Sequence, residues 1–122
     1  MHGPTFMANP LACAVARASV QLLLDGPWQQ TVADLATRLE AGLAPARGLS
    51  GVADVRVLGG IGVVELAQAP DAVRLQTALV DRGAWVRPFG RLVYAMPPYV
   101  STEQDLATVT AAMVGAIEGV LA

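Results

Sequence analysis

The chain has 122 residues, a formal net charge of −2, 54% hydrophobic residues and only 15% charged ones. That length makes one domain, or one part of a larger one, and can bury roughly two-thirds of its unfolded surface. Scattered charges leave no polyanion footprint, which argues against nucleic acid as a partner. The longest apolar stretch, LACAVARASVQLLL, is broken by Arg17, Ser19 and Gln21. It falls short of the roughly 18 clean residues that would suggest a membrane span.

In chain order, Asn9 before Pro10 is a helix-start signature, and a helix is expected from Pro10 to Leu24, apolar around its circumference and hence buried. The turn DGPW ends it, and a second helix is expected from Pro27 to Arg47. Trp28, Val32, Leu35, Leu39 and Leu43 form its apolar face. Val52 to Leu58 alternates as a strand, with Val55 and Val57 on one face and Asp54 and Arg56 on the other. Gly59, Gly60 and Gly62 reverse it into a second strand, GVVELA. A short helix follows from Asp71 to Arg82, with Val73, Leu75, Leu79 and Val80 apolar and Gly83 at C′.

AWVRPF and RLVYAMPP read as two strands joined at Gly90, and Pro97 and Pro98 stop the second. Ser101 with Gln104 gives a capping box for a last helix, Thr102 to Leu121. The order ααββαββα is that of an α+β fold, a small, mostly antiparallel sheet covered by helices. The unusual apolarity implies that some of its surface expects a further domain or subunit.

Cys13 is the only cysteine and His2 the only histidine, so neither a disulfide nor a zinc or haem site is expected, and a reducing cytoplasm fits. MHGPT lacks the basic start of a signal peptide. The eight Lys+Arg residues are all arginine. No side-chain amine nucleophile therefore exists here.

Three stretches could carry chemistry. HGPTFMANP feeds a helix start, where N–H groups and the helix dipole favour an anion and Thr5 adds a hydroxyl; pattern alone favours the plainer reading, a capped helix behind a ragged terminus. In WVRPFGRLVYAMPPY, Arg87 stands in an otherwise apolar strand and requires a carboxylate. That carboxylate is either Glu65 or an aspartate of the chain, or else belongs to a ligand. Tyr94 and Tyr99 lie within reach in sequence. LGGIGVVEL is glycine-rich, but it lacks the spacing and following helix of a phosphate loop and reads as a hairpin turn.

MHGPTFMANPLACAVA, followed some seventy residues later by DRGAWVRPFGRLVYAMPPY, resembles the C-terminal part of the adenosylmethionine–8-amino-7-oxononanoate (diaminopelargonic acid) aminotransferases. These are class-III enzymes of biotin synthesis that use pyridoxal phosphate (PLP). The resemblance covers essentially this whole chain, but only the last quarter to third of the family's length. It implies an aspartate-aminotransferase-like fold, with residues 1–26 an active-site loop and helix of the large-domain region and residues 27–122 the small domain.

It also implies that Thr5, with Pro4, contacts the PLP phosphate of a neighbouring subunit in a homodimer. Gly3, Arg87 and Tyr94 then serve the substrate, Arg87 binding its carboxylate, which moves the expectation for Arg87 from a structural pair towards a clamp. The family's Schiff-base lysine lies upstream of HGPT and has no counterpart here, so no catalytic residue is assigned and the chain alone is expected to be inactive. Its expected partners are the missing N-terminal large domain, a second subunit and a small amino-acid-like substrate. The alternative is a non-catalytic carboxylate-binding or oligomerisation module with the same small-domain fold.

Overall fold

The computed structural model describes residues 7–122, and the chain forms two units, Met1–Thr31 and Val32–Ala122. In the first, Asn9 caps helix α1 (Pro10–Asp25), its side-chain oxygen accepting the Ala12 N–H at 3.0 Å with Pro10 at the first helical position. The start is as expected, but the expected burial does not occur: α1 buries none of its residues, and Leu11, Val15, Val20, Leu22 and Leu24 are all exposed. A unit of this size has too little apolar surface to cover a helix.

Helix α2 (Trp28–Leu43) runs from the first unit into the second. Of its expected face, Leu35, Leu39 and Leu43 are buried, Val32 is half-buried and Trp28 is exposed. The helix stops short of Arg47 because Pro45 lacks an N–H and its ring crowds the carbonyl four residues back. A 3-10 turn over Ala44–Gly48 takes up the chain instead.

Strand β1 (Val52–Leu58) and strand β2 (Ile61–Leu66) form the expected hairpin, and strand β3 (Leu92–Ala95) adds to the other edge of β2. Both pairings are antiparallel, with Val55 opposite Val64 and Val64 opposite Val93. The turn places Gly59 at φ +54°, a left-handed conformation that glycine adopts without a Cβ clash. Those valines face inward with Leu66 and Ala95 and pack on Leu75 and Leu79 of helix α3 (Ala72–Asp81) and on Met113 and Ile117 of helix α4 (Glu103–Leu121). Leu35, Leu39 and Leu106 make a second cluster that touches Val57.

On α3 the apolar face is narrower than the sequence suggests. Leu75 and Leu79 are fully buried, while Val73 and Val80 are exposed. Asp71 caps this helix, accepting from the N–H groups of Val73 and Arg74. The capping box of α4 lies one residue later than expected: Thr102 accepts the Asp105 N–H, and Asp105 accepts the Thr102 N–H at 2.8 Å. Ser101 and Gln104 take no part in it.

AWVRPF forms no strand. Ala84–Pro88 has no ladder partner among the described residues, and only an isolated bridge joins Phe89 to Leu92. The observed order is therefore ααββαβα. No helix among the described residues is long and apolar enough to cross a membrane.

Candidate functional site

The segment after α3 places the expected arginine. Gly83, at φ +82°, turns the chain out of the helix, and the backbone then runs extended with alternating burial. Ala84 and Val86 point into the core, while Trp85, Arg87 and Phe89 are exposed. Gly90, at φ +57°, reverses the chain, and β3 returns with Val93 inward and Tyr94 on the opposite face. Arg87 and Tyr94 thus line one cleft of about 390 Å³, together with Val86, Ala95, Met96 and Leu106. The structure brings the two together; Tyr99 is not among the residues that line the cleft.

The internal partner weighed for Arg87 is engaged elsewhere. One oxygen of Glu65 pairs with Arg56 at 2.8 Å and the other with Arg91 at 2.9 Å. Register explains this: Glu65 stands opposite Leu92 on one side and Asp54 on the other, which puts Arg91 and Arg56 beside it. Arg56 also pairs with Asp54 at 2.8 Å. Its guanidinium holds the Asp54 carboxyl below the usual range, and the two carboxylates raise Arg56 in return.

Among the described residues no ion pair or hydrogen bond falls to Arg87. Of the two kinds of carboxylate weighed for it, one from this chain is not found among the described residues, and the exposed side chain stays hydrated. It is a cation on the wall of a largely apolar cleft, open to a ligand. An arginine so placed offers a planar fork of donors suited to a carboxylate.

Asp105, which also lines this cleft, is not singled out by sequence. Hydrogen bonds from the Thr102 backbone and hydroxyl hold its carboxyl below the usual range. Its Ser/Thr-x-x-Asp spacing was the available signal. Gly3, Pro4 and Thr5 lie outside the described residues. The first described residues behind them include Ala8, at φ +60°, a left-handed conformation that costs a residue with a Cβ on the order of 1 kcal/mol. Cys13 is free and exposed. No group of residues suited to holding a metal ion occurs among the described residues.

A second hollow, about 690 Å³, lies between α2 and α4, lined by Ala41, Gly42, Ala107, Ala111 and Gly115. Its only ion pair is the loose, exposed Arg38–Glu103 contact at 3.7 Å. It offers shape without reactive chemistry.

Residues 1–117 match the model of the class-III aminotransferase family. The chain is 51% identical over 119 residues to an adenosylmethionine-8-amino-7-oxononanoate aminotransferase of Corynebacterium glutamicum, covering 98% of this chain and 28% of that protein. It is 54% identical over 114 residues to the protein of the same name from Mycobacterium leprae, covering 93% of this chain and 26% of that protein. A solved (S)-enantioselective omega-transaminase from Thermomicrobium roseum superposes with a TM-score of 0.87 at 25% identity, over 100% of this chain and 30% of that one. The chain thus spans little more than a quarter of the length of the curated relatives it matches. A match over nearly the whole chain, on a fold shared with solved transaminases, places this protein in the class-III aminotransferase family.

Proposed function

We propose that this chain is the C-terminal portion of an adenosylmethionine–8-amino-7-oxononanoate aminotransferase and supplies the carboxylate-binding end of its active site. The parent reaction moves an amino group from S-adenosylmethionine to 8-amino-7-oxononanoate, giving 7,8-diaminononanoate for biotin synthesis. One observation carries the reading: Arg87 lines an apolar cleft with no internal partner, while both oxygens of Glu65 are held by other arginines. In this role Arg87 grips the acceptor carboxylate through two N–H donors, and Tyr94 borders the acyl chain. Gly3 belongs to the same substrate pocket. Thr5 and Pro4 meet the cofactor phosphate across a homodimer in the cytoplasm. Residues 1–26 serve as the loop and helix of the large-domain region, and residues 27–122 as the small domain.

The chain does not fit PLP as a resident cofactor. PLP chemistry supplies an electron sink and requires a lysine amine to hold the cofactor and move the proton, and all eight basic residues are arginine. Any PLP served by this chain is held by a lysine on other polypeptide, and the chain alone is inactive. The alternative reading, a non-catalytic carboxylate-binding module, draws on the closed core of Val32–Ala122.

The test is a hybrid enzyme in which this chain is joined to the part of the Corynebacterium glutamicum relative that it does not span. Truncating one partner of a charged hydrogen-bonded pair costs about 1.5–3 kcal/mol, or roughly 10- to 150-fold. Arg87→Ala should raise the KM for 8-amino-7-oxononanoate by at least about tenfold, and Arg91→Ala should change it little. An unchanged KM in Arg87→Ala contradicts the clamp.

A further inference from the structure

Among the described residues, Arg87 and Asp105 are the only charged ones that line the cleft of about 390 Å³. Most of the remaining wall is apolar, with Val86, Ala95, Met96 and Leu106 in it. The two charges do not pair with each other, and no ion pair falls to Asp105 among the described residues. The cleft therefore carries a cation that favours a carboxylate and, separately, an anion that opposes one.

The start of α4 shows how that anion is held. Free N–H groups and the helix dipole at a helix start favour a negative group, which would give the cleft a second point of attraction for a carboxylate. Here the cap takes up those donors. The Ser101 N–H goes to the Pro98 carbonyl at 3.0 Å and the Leu106 N–H to the Thr102 carbonyl at 3.1 Å. The Thr102 N–H goes to Asp105 at 2.8 Å, and the Asp105 N–H to the Thr102 hydroxyl at 3.2 Å. Glu103 and Gln104, the other residues of the first turn, do not line the cleft. Thr102 also donates its hydroxyl to Asp105 at 2.7 Å, and these bonds hold the carboxyl below its usual range. At neutral pH the cleft thus meets a tethered, ionised carboxylate where a bare helix start would have been attractive to anions.

The size of the cleft decides what this charge does. A compact cleft of about 390 Å³ is about 7 Å across, inside the Debye length of roughly 8 Å at physiological salt. A ligand held by one carboxylate on Arg87 cannot place a second carboxylate in the cleft without bringing it into the field of Asp105. Asp105 is exposed, so solvent screens part of the repulsion, and the expected effect on binding is about fivefold. A ligand whose other end is neutral or cationic meets no such opposition.

We propose that Asp105 is a specificity-determining residue of the Arg87 cleft: it leaves monocarboxylates free to bind and selects against dicarboxylates whose second carboxylate lies a few carbons from the first. The inference rests on the carboxylate clamp at Arg87 and adds the class of acceptor that the clamp admits. An acceptor with a single carboxylate, such as 8-amino-7-oxononanoate, fits this charge pattern, and a short dicarboxylic oxo acid does not.

Competitive inhibition of the hybrid enzyme by valerate and glutarate, a mono- and a dicarboxylate of equal chain length, tests the proposal. Both are measured against 8-amino-7-oxononanoate at neutral pH and fixed ionic strength. Asp105→Asn should lower the ratio of the glutarate Ki to the valerate Ki by about fivefold. Thr102→Ala removes the capping hydroxyl but keeps the carboxylate, and should leave the ratio where it was.

An unchanged ratio in Asp105→Asn overturns the proposal. So does an equal fall in Thr102→Ala, which traces the effect to the shape of the cap and not to the charge. Arg87→Ala separates this inference from the reading beneath it. It should raise both Ki values; if it raises neither, the clamp itself fails and takes the specificity role with it. Both values raised in Arg87→Ala, with the ratio unmoved in Asp105→Asn, leave the clamp standing and overturn the role of Asp105 alone.

Discussion

Arg87 is informative because of what its neighbours do. Sequence singles it out as a cation among apolar residues, but separation along the chain cannot say whether Glu65 reaches it. Strand register decides, giving Glu65 to Arg56 and Arg91 and leaving Arg87 to the cleft. Asp105 shows the same limit. Ser101/Gln104 and Thr102/Asp105 are overlapping capping patterns one residue apart, and the charged carboxylate is the stronger acceptor. Its pH consequence has a definite sign. Thr102 holds the folded-state pKa of Asp105 below its unfolded value near 3.9. The stabilisation is therefore complete above that value and is lost as pH falls through the folded-state pKa. Thermal melts below about pH 4 should show a shallower fall in stability for Asp105→Asn than for the unaltered chain. Identical slopes would count against the box.

Helix positions, caps and the β1–β2 hairpin were legible because each rests on local pattern. The strand expected over AWVRPF was half legible: its alternation is present in the burial of Ala84 and Val86, but a ladder needs a neighbour that no local pattern supplies. Close packing of α2 on α4 was not legible at all. A Cβ on Gly42 would lie 2.3 Å from the Thr110 hydroxyl oxygen and 2.7 Å from its Cβ. Glycine to alanine normally favours a helix by about 1 kcal/mol, whereas overpacking costs about 1–3 kcal/mol. The contact is close enough for the clash to win, so Gly42→Ala should lower stability in urea denaturation by about 1–2 kcal/mol. Adding Thr110→Ala removes the nearest atom and should restore part of the loss; strictly additive losses would refute the contact. Leu79→Ala, at the α3 face fully buried against the sheet, should cost about 2–5 kcal/mol by the same measurement.

The molecule as a whole has a closed core over Val32–Ala122 and, in α1, an apolar helix that buries nothing. Composition already announced this imbalance, since 54% hydrophobic residues exceed what so small a fold can cover. The expectation that α1 is buried is not met: an all-round apolar pattern marks the helix, but whether anything covers it is not written in that pattern. The absence of lysine has the same meaning in chemical form. In the proposed reading, Arg87 supplies the substrate end of a site whose cofactor end belongs to other polypeptide. PLP titration, followed by visible absorption, tests that claim most directly. The purified 122-residue chain should show no stable visible band that survives removal of free PLP, whereas the hybrid enzyme should show one. A persistent band from the chain alone would contradict the account.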